Sequence, residues 1–388
     1  MRRTDSRLRI IVCGYVVRCP LGGSTWAFLQ YAKGLSDLGH EVYYIEESGH
    51  DVYCCYNPAT HVSDRDPSYG LSFVGAALEK LGLSNKWGYY DHHTDRWLGP
   101  CADQILGICS SADMLINVSG VDSLRPWLLE IPTRVLIDMD PAFTQVQNLS
   151  DSGKMEDTAL YTSHFSYGEN IERGISNVPE DGFEWKATRP PIVLPAWPVS
   201  RGHRDSKFTT VMMWQSYGTC EYDGIHYGVK ADSFPHYLEL PSRVTEHMEM
   251  AVGGPNTPND RLLAHDWKVT DPMVVTRDLS RYQDYIQRSK AEFSVAKHAY
   301  VISNSGWLSD RSAAYLASGR PVVLQDTGFS TFLDTGAGLV SFNDIEQAIA
   351  AIDEVSSQYQ SHCDAARDIA EQYFDASKVL SYLIERVA

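Results

Sequence analysis

The sequence predicts two doubly wound α/β domains that face one another across a central cleft. Three observations carry that expectation. The chain has 388 residues, too long for one ordinary core and suited to two domains of roughly 100–200 residues each. It opens in the order strand, glycine-containing loop, helix, strand, which begins a parallel α/β unit. The same order restarts near Phe208, after the proline-rich, basic stretch "KATRPPIVLPAWPVSRGHR", which should be extended. The expected divisions are 1–200, 201–374, and a C-terminal helix, 375–388, packing back on the first domain.

Each element follows from local pattern. Arg9 to Val17 is a β-rich apolar run, and Arg18 to Thr25 is a Pro/Gly loop. Trp26 to Leu38 has Trp26, Leu29, Ala32 and Leu35 at helical spacing, and Gly39 ends the helix. "EVYYIE" from Glu41 is the next strand, and Tyr69 to Leu81 a helix. Asp113–Val118, Thr133–Asp138 and Leu160–Phe165 read as strands, with 145–160 a mobile polar loop. In the second half, "FTTVMMW" from Phe208 is a first strand, and a long Gly/Tyr-rich loop ends in "YGVK" at Lys230. A short helix over Ser233–Leu240, a strand over Glu249–Val252 and a helix over Arg281–Ser289 follow. Then come a strand over Ala291–Ala296, a helix over Asp310–Ser318 and the strand "PVVL" from Pro321. Helices over Ile345–Val355, Cys363–Tyr373 and Ser377–Val387 close the chain.

Composition narrows the function. A hydrophobic fraction of 43% and a charged fraction of 21% are those of a globular protein. The net charge of −17 argues against nucleic acid as a partner, since a basic stripe is its usual footprint. No apolar run reaches the ~18 residues of a membrane span, so no integral membrane contact is expected. The N-terminal "MRRTDSRLRIIVCGYVV" is interrupted by Gly14 and Tyr15 and reads as a buried strand rather than a signal peptide. The 8 cysteines show no CxxC spacing, and read as reduced thiols in a cytoplasmic protein without a metal site.

The most informative stretch is "SGWLSDRSAAYLASGRPVVLQDTGFS", Ser305 to Ser330. A helix starts there, with Ser309 or Asp310 as N-cap, and helix N-termini attract phosphate. Arg311 in the first turn opposes the helix dipole, which makes sense if an anion sits beside it. Ser305 and Ser309 add hydroxyl donors. Gly319 ends the helix and Pro321 turns the chain into a buried strand, whose carboxyl end would face a ligand crevice. The plainer alternative is that Asp310 caps the helix and pairs with Arg311.

The run "DRSAAYLASGRPVVLQD" resembles the donor domain of glycosyltransferases with the two-domain GT-B fold. Arg311 falls on an arginine seen in one branch, and Gly319, Pro321, Val322 and Val323 match the helix-to-strand turn. "GHEV" after the first helix is similar to the start of the other, Rossmann-like half. The resemblance departs at the paired-glutamate signature, where Gly306 and Ala314 stand, and either Asp310 or Asp326 is a candidate replacement. It implies a nucleoside diphosphate sugar as co-substrate, with no further cofactor and no bound metal. It also implies a glycine-rich first loop aimed at the diphosphate, here Gly22, Gly23 and Ser24, and a basic residue after the first donor strand, here Lys230.

Sugar transfer requires that the leaving diphosphate be neutralised and that the acceptor hydroxyl lose its proton. Arg311, Lys230, Lys297, Ser305, Gly306 and the Gly22–Gly23 loop are the candidates for the first task, with Trp307 beside them. Asp138 and Asp140, at the end of "RVLID", are the candidates for the second, and His164 follows. The alternative for this "DMD" is a turn role beside Pro141; the metal-binding DxD of the GT-A fold suits two α/β halves less well. Loop aromatics (Trp87, Tyr89, Tyr90, Trp97, Trp214, Tyr217, Tyr222, Tyr227) are candidates for stacking on sugar or base. The expected acceptor is a small soluble hydroxylated molecule of the secondary-metabolite kind, and a homodimer is compatible with the sequence. The rival readings are a nucleotide-sugar epimerase and a non-catalytic nucleotide-binding protein on the same scaffold.

Overall fold

The apolar runs become the inner strands of two separate sheets. The computed structural model describes residues 7–200 and 206–387, so the predicted division after 200 borders residues outside the described ones. The N-terminal half holds β1 (Arg9–Cys13), β2 (Glu41–Glu47), a small hairpin β3 (Cys55–Asn57) and β4 (Val62–Asp64), β5 (Trp87–Asp91), β6 (Arg96–Leu98), β7 (Met114–Val118), β8 (Thr133–Asp138), β9 (Ser163–Ser166) and β10 (Trp185–Ala187). Eight of these form one sheet in the order β10-β9-β8-β7-β1-β2-β5-β6, parallel except for β6. The C-terminal half holds β11 (Phe208–Met213), a hairpin β12 (Cys220–Tyr222) and β13 (Ile225–Tyr227), β14 (Met248–Gly253), β15 (Lys268–Thr270), β16 (Ala291–Ser294), β17 (Val322–Gln325) and β18 (Leu339–Phe342). Its parallel sheet runs β15-β14-β11-β16-β17-β18. Strand order reverses between β7 and β1, and again between β11 and β16, and crevices open at such points beyond the carboxyl ends of the strands.

Three local expectations are corrected. Residues 145–160 are not a loop but the helices Phe143–Ser150 and Ser152–Ala159; Asp151 caps the second by accepting from the amides of Gly153 and Lys154. Trp87, Tyr89 and Tyr90 lie in β5 and Trp97 in β6, and Trp87 and Tyr89 are buried in the core. The short helix expected over Ser233–Leu240 begins earlier, at Lys230–Ser233, and continues as a 3-10 turn over Phe234–Tyr237.

The halves are packed tightly together. Helix Gly22–Asp37 lies against helix Leu279–Arg288, and the Trp26 indole donates to the Leu279 carbonyl at 3.1 Å. Within the proline-rich connection, Trp197 is fully buried, and both its indole and the Val193 amide donate to Gln30. Ile192 pairs with Asp375, and the last helix, Ala376–Val387, lays Leu380 on Gly34 of the first.

Candidate active site

The site is built where β8, β11 and β16 end. Helix Asp310–Ala317 begins there, and Ser309, not Asp310, caps it by accepting from the Arg311 amide at 3.1 Å. The cation in the first turn has an internal explanation. Arg311 Nε donates to Glu292, a carboxylate fully buried on β16, while Nη1 donates to the Val211 carbonyl at 2.8 Å and Nη2 to the Ser294 hydroxyl at 2.7 Å. Arg311 as the principal phosphate clamp is therefore corrected. It is locked into an ion pair with Glu292 of the second sheet.

Lys230 is different. It is 7% exposed, and its Nζ has no hydrogen-bond partner. Burial first, then Arg311, push its ammonium well below the usual lysine range; Lys297 adds to this and Glu292 opposes it. The backbone fixes it beside Lys297, because the amides of His298 and Ala299 donate to the carbonyls of Val229 and Gly228. Glu292 Oε2, Thr210 Oγ1 and Ser312 Oγ are also buried without partners. Three cations thus share one locality. Arg311 is paired with Glu292 and Lys297 with Asp140, whereas Lys230 Nζ has no hydrogen-bond partner.

Lys297 donates to Asp140 Oδ1 at 2.5 Å across the boundary between the halves. Tyr217 donates to the same oxygen at 2.7 Å, and Tyr300 also bonds to it. Burial alone would raise the Asp140 carboxyl, but Lys297 and the two phenols outweigh it and hold it below the usual carboxylate value. The backbone just beyond is strained, with Ala142 at φ 73, and Asn304 across the interface at φ 48, a backbone feature that clusters at functional sites.

Other candidates fall to structural duties. Asp138 is saturated: its carboxylate accepts from the Asp140 amide, Thr144, Gln145 and Ser166, so it shapes the turn and is no base. His164 points away from the cleft, donating to the Thr158 carbonyl at 2.9 Å among Phe183 and Trp185, and burial lowers its pKa. Gly22 and Gly23 allow helix packing instead of cradling phosphate: a Cβ on Gly22 would lie 2.3 Å from the Asp278 carbonyl oxygen, and one on Gly23 would meet Tyr282. Ser24 donates into its own loop. Ser305 is buried and accepts the Asn170 amide on its carbonyl. Gly306, at φ 78, leaves room only for Asn170 and Phe332, so a glutamate cannot occupy this place. Trp307 packs on Tyr300 and donates to the Met139 carbonyl at 3.0 Å, which removes it as a stacking platform. Asp326 caps the turn after β17 through the Gly328 amide and Ser330. Asp310 stays beside Arg311, its carboxyl raised by burial against the pull of that arginine.

Sequence reasoning missed Glu292, Tyr217 in this role, Tyr300 and Asn170. Glu292 had a signal, a carboxylate inside the apolar strand "AEFSVA" with a lone arginine in the first turn of a nearby helix. A groove of about 640 Å³ between helices Ser68–Lys80 and Leu279–Arg288 has volume but no buried unpartnered polar atom in its lining.

Comparison with solved structures decides the architecture. The chain is similar to an α-glucosyltransferase solved with UDP-glucose and DNA containing an abasic site, at 12% identity and a TM-score of 0.59, covering 98% of this chain and 100% of that one. It is similar to HepE from Anabaena solved with UDP and glucose, at 10% identity and TM-score 0.58 over 98% and 99% of the two chains.

The fold is GT-B.

AviGT4, a glycosyltransferase involved in avilamycin A biosynthesis, also shares this GT-B fold, at 12% identity and TM-score 0.52 over 98% and 97% of the chains. No family model and no curated protein matches in sequence. The exclusion of nucleic acid drawn from net charge is corrected: α-glucosyltransferases with this fold are solved with DNA. A net charge sums the whole surface and does not report on one face. Among the described residues no helix is long and apolar enough to cross a membrane.

Proposed function

We propose that this chain transfers a sugar from a nucleoside diphosphate sugar to a hydroxyl of an acceptor. The observation that carries this is the buried Lys230 Nζ, which has no hydrogen-bond partner and lies in the field of Arg311 and Lys297, in a GT-B fold. A buried amine without a partner is costly to a folded protein, and the leaving diphosphate supplies both the partner and the field that restores its charge. Lys297 stands beside it to share the charge that develops as the glycosidic bond breaks. Arg311 and Glu292 hold the floor beneath, and Asp140 stands on the acceptor side of Lys297.

A small hydroxylated acceptor in the cytoplasm is the reading to be tried first, supported by AviGT4's part in making avilamycin A. DNA containing an HMU base forms the second arm, because an α-glucosyltransferase of this fold is solved with UDP and such a 13-mer. The test is release of nucleoside diphosphate from a panel of UDP-, GDP-, dTDP- and ADP-sugars with both acceptor sets. Release in step with a glycosylated product supports transfer. Nucleotide binding with no turnover on any donor refutes it and leaves a binding protein.

A further inference from the structure

Asp140 and Lys297 belong to different halves and form an ion pair across the contact between them. Three donors, Lys297 Nζ and the hydroxyls of Tyr217 and Tyr300, converge on one oxygen, Oδ1, and none of the three is directed to Oδ2. Such convergence of donors on one anionic oxygen is what a phosphate oxygen requires. The Lys297 ammonium is 4.1 Å from the centre of the Tyr217 ring and 5.2 Å from that of Tyr300, so the phenols hold it in place on both counts. Lys230 is the immediate cationic neighbour and has nothing to bind. A diphosphate that reached Lys230 would therefore arrive beside Lys297 and compete for it.

We infer that Asp140 is a built-in stand-in for donor phosphate at Lys297: the arriving diphosphate displaces it, and the released carboxylate then faces the acceptor. The inference rests on the donor reading above. It makes the order of binding a property of the fold. Until the donor arrives, Asp140 is engaged and the halves are bridged; once Lys297 has turned to phosphate, the carboxylate is free to orient an acceptor hydroxyl. Asp140 is a positioning residue in the empty protein and becomes available to the substrate only afterwards.

The consequence is counter-intuitive for a residue in an active site, because its removal should strengthen nucleotide binding. Calorimetric titration with whichever of UDP, GDP, dTDP or ADP binds the wild-type chain is the test. Asp140→Asn should bind that nucleotide about two- to tenfold more tightly, since a competing, partly exposed ion pair is lost, while sugar transfer falls. Lys297→Met should bind it more weakly. The double variant should match Lys297→Met, because the competitor matters only while the lysine is present. Asp140→Ser, with circular dichroism and a melting curve for every variant, guards against a folding defect in the first. Unchanged or weaker binding by both Asp140 variants, with the fold intact, overturns the inference, as does equal tightening in the Lys297→Met background. If no nucleotide binds the wild type, the donor reading itself fails; if binding is present and depends on Lys230 while Asp140 has no effect, only the displacement of Asp140 fails.

Discussion

Replacing Lys230 with methionine should change stability and ligand binding in opposite directions. The lysine is 7% exposed, and its Nζ is bonded to nothing. Methionine has a similar length and no polar atom to satisfy, so the substitution removes a buried amine that makes no hydrogen bond while keeping most of the packing. A buried polar group left without a hydrogen bond costs about 1–3 kcal/mol, and methionine removes that cost. Taking about 2 kcal/mol, and about 2–4 °C per kcal/mol for a folding unit of this size, the melting temperature should rise by about 4–8 °C. Nucleotide binding should move the other way. A charge-assisted hydrogen bond is worth about 1.5–3 kcal/mol, which is about a ten- to hundredfold loss of affinity. Thermal melting with and without nucleoside diphosphate reads both effects in one experiment. The wild type should show a nucleotide-dependent upward shift, and Lys230→Met a higher baseline with little shift. A lower baseline together with an undiminished shift would refute the reasoning, since Lys230 would then be a structural lysine distant from the ligand.

Further outcomes follow from the same geometry. Arg311→Met leaves the Glu292 carboxylate buried without its partner and should destabilise the fold by about 3–5 kcal/mol, visible in urea unfolding; a change below about 1 kcal/mol would show that the pair is dispensable. Gly22→Ala places a Cβ 2.3 Å from the Asp278 carbonyl oxygen, and should cost about 1–3 kcal/mol and loosen the contact between the halves, measured as faster hydrogen exchange at 278–282. Nucleotide binding should take up a proton, because burial, Arg311 and Lys297 depress the Lys230 ammonium in the free protein and a bound anion restores it. Affinity is then greatest below the free-state pKa of Lys230 and declines as pH rises toward the bound-state value; titration in buffers of different ionisation enthalpy should show the uptake, and affinity that rises with pH would contradict it.

The framework was legible where composition and turn signals agree. β1 and β17 are short apolar runs rich in β-branched residues, the helix Asp310–Ala317 has a capped start, and Gly319–Arg320–Pro321 marks the turn between the last two. The hairpin of β12 and β13 was not legible, because strands of three residues in a Gly/Tyr-rich segment have no period to read. Helix Ser152–Ala159 was hidden by its polar composition, although Asp151 ahead of it is a good cap. Lys230 enters only through the resemblance, which implies a basic residue after the first strand of the second half; nothing in "YGVK" itself signals that its amine is buried without a partner. The fates of Asp138 and Asp140 could not be separated in "DMD". Asp138 is saturated by neighbours within its own half, whereas Asp140 takes its partners from residues 217, 297 and 300, about which its local sequence says nothing. The anion that explains Arg311 is equally remote from its helix in sequence: it is Glu292, on β16.

The central claim is that phosphate, not merely a base or a sugar, is what Lys230 and its neighbours bind. Calorimetric titration of the wild-type chain with UDP, GDP, dTDP and ADP, each beside its phosphate-free nucleoside, tests it most directly. At least one diphosphate should bind with one-to-one stoichiometry and its nucleoside about a hundredfold more weakly. Binding by none of the four, or equal binding of nucleoside and diphosphate, would contradict it.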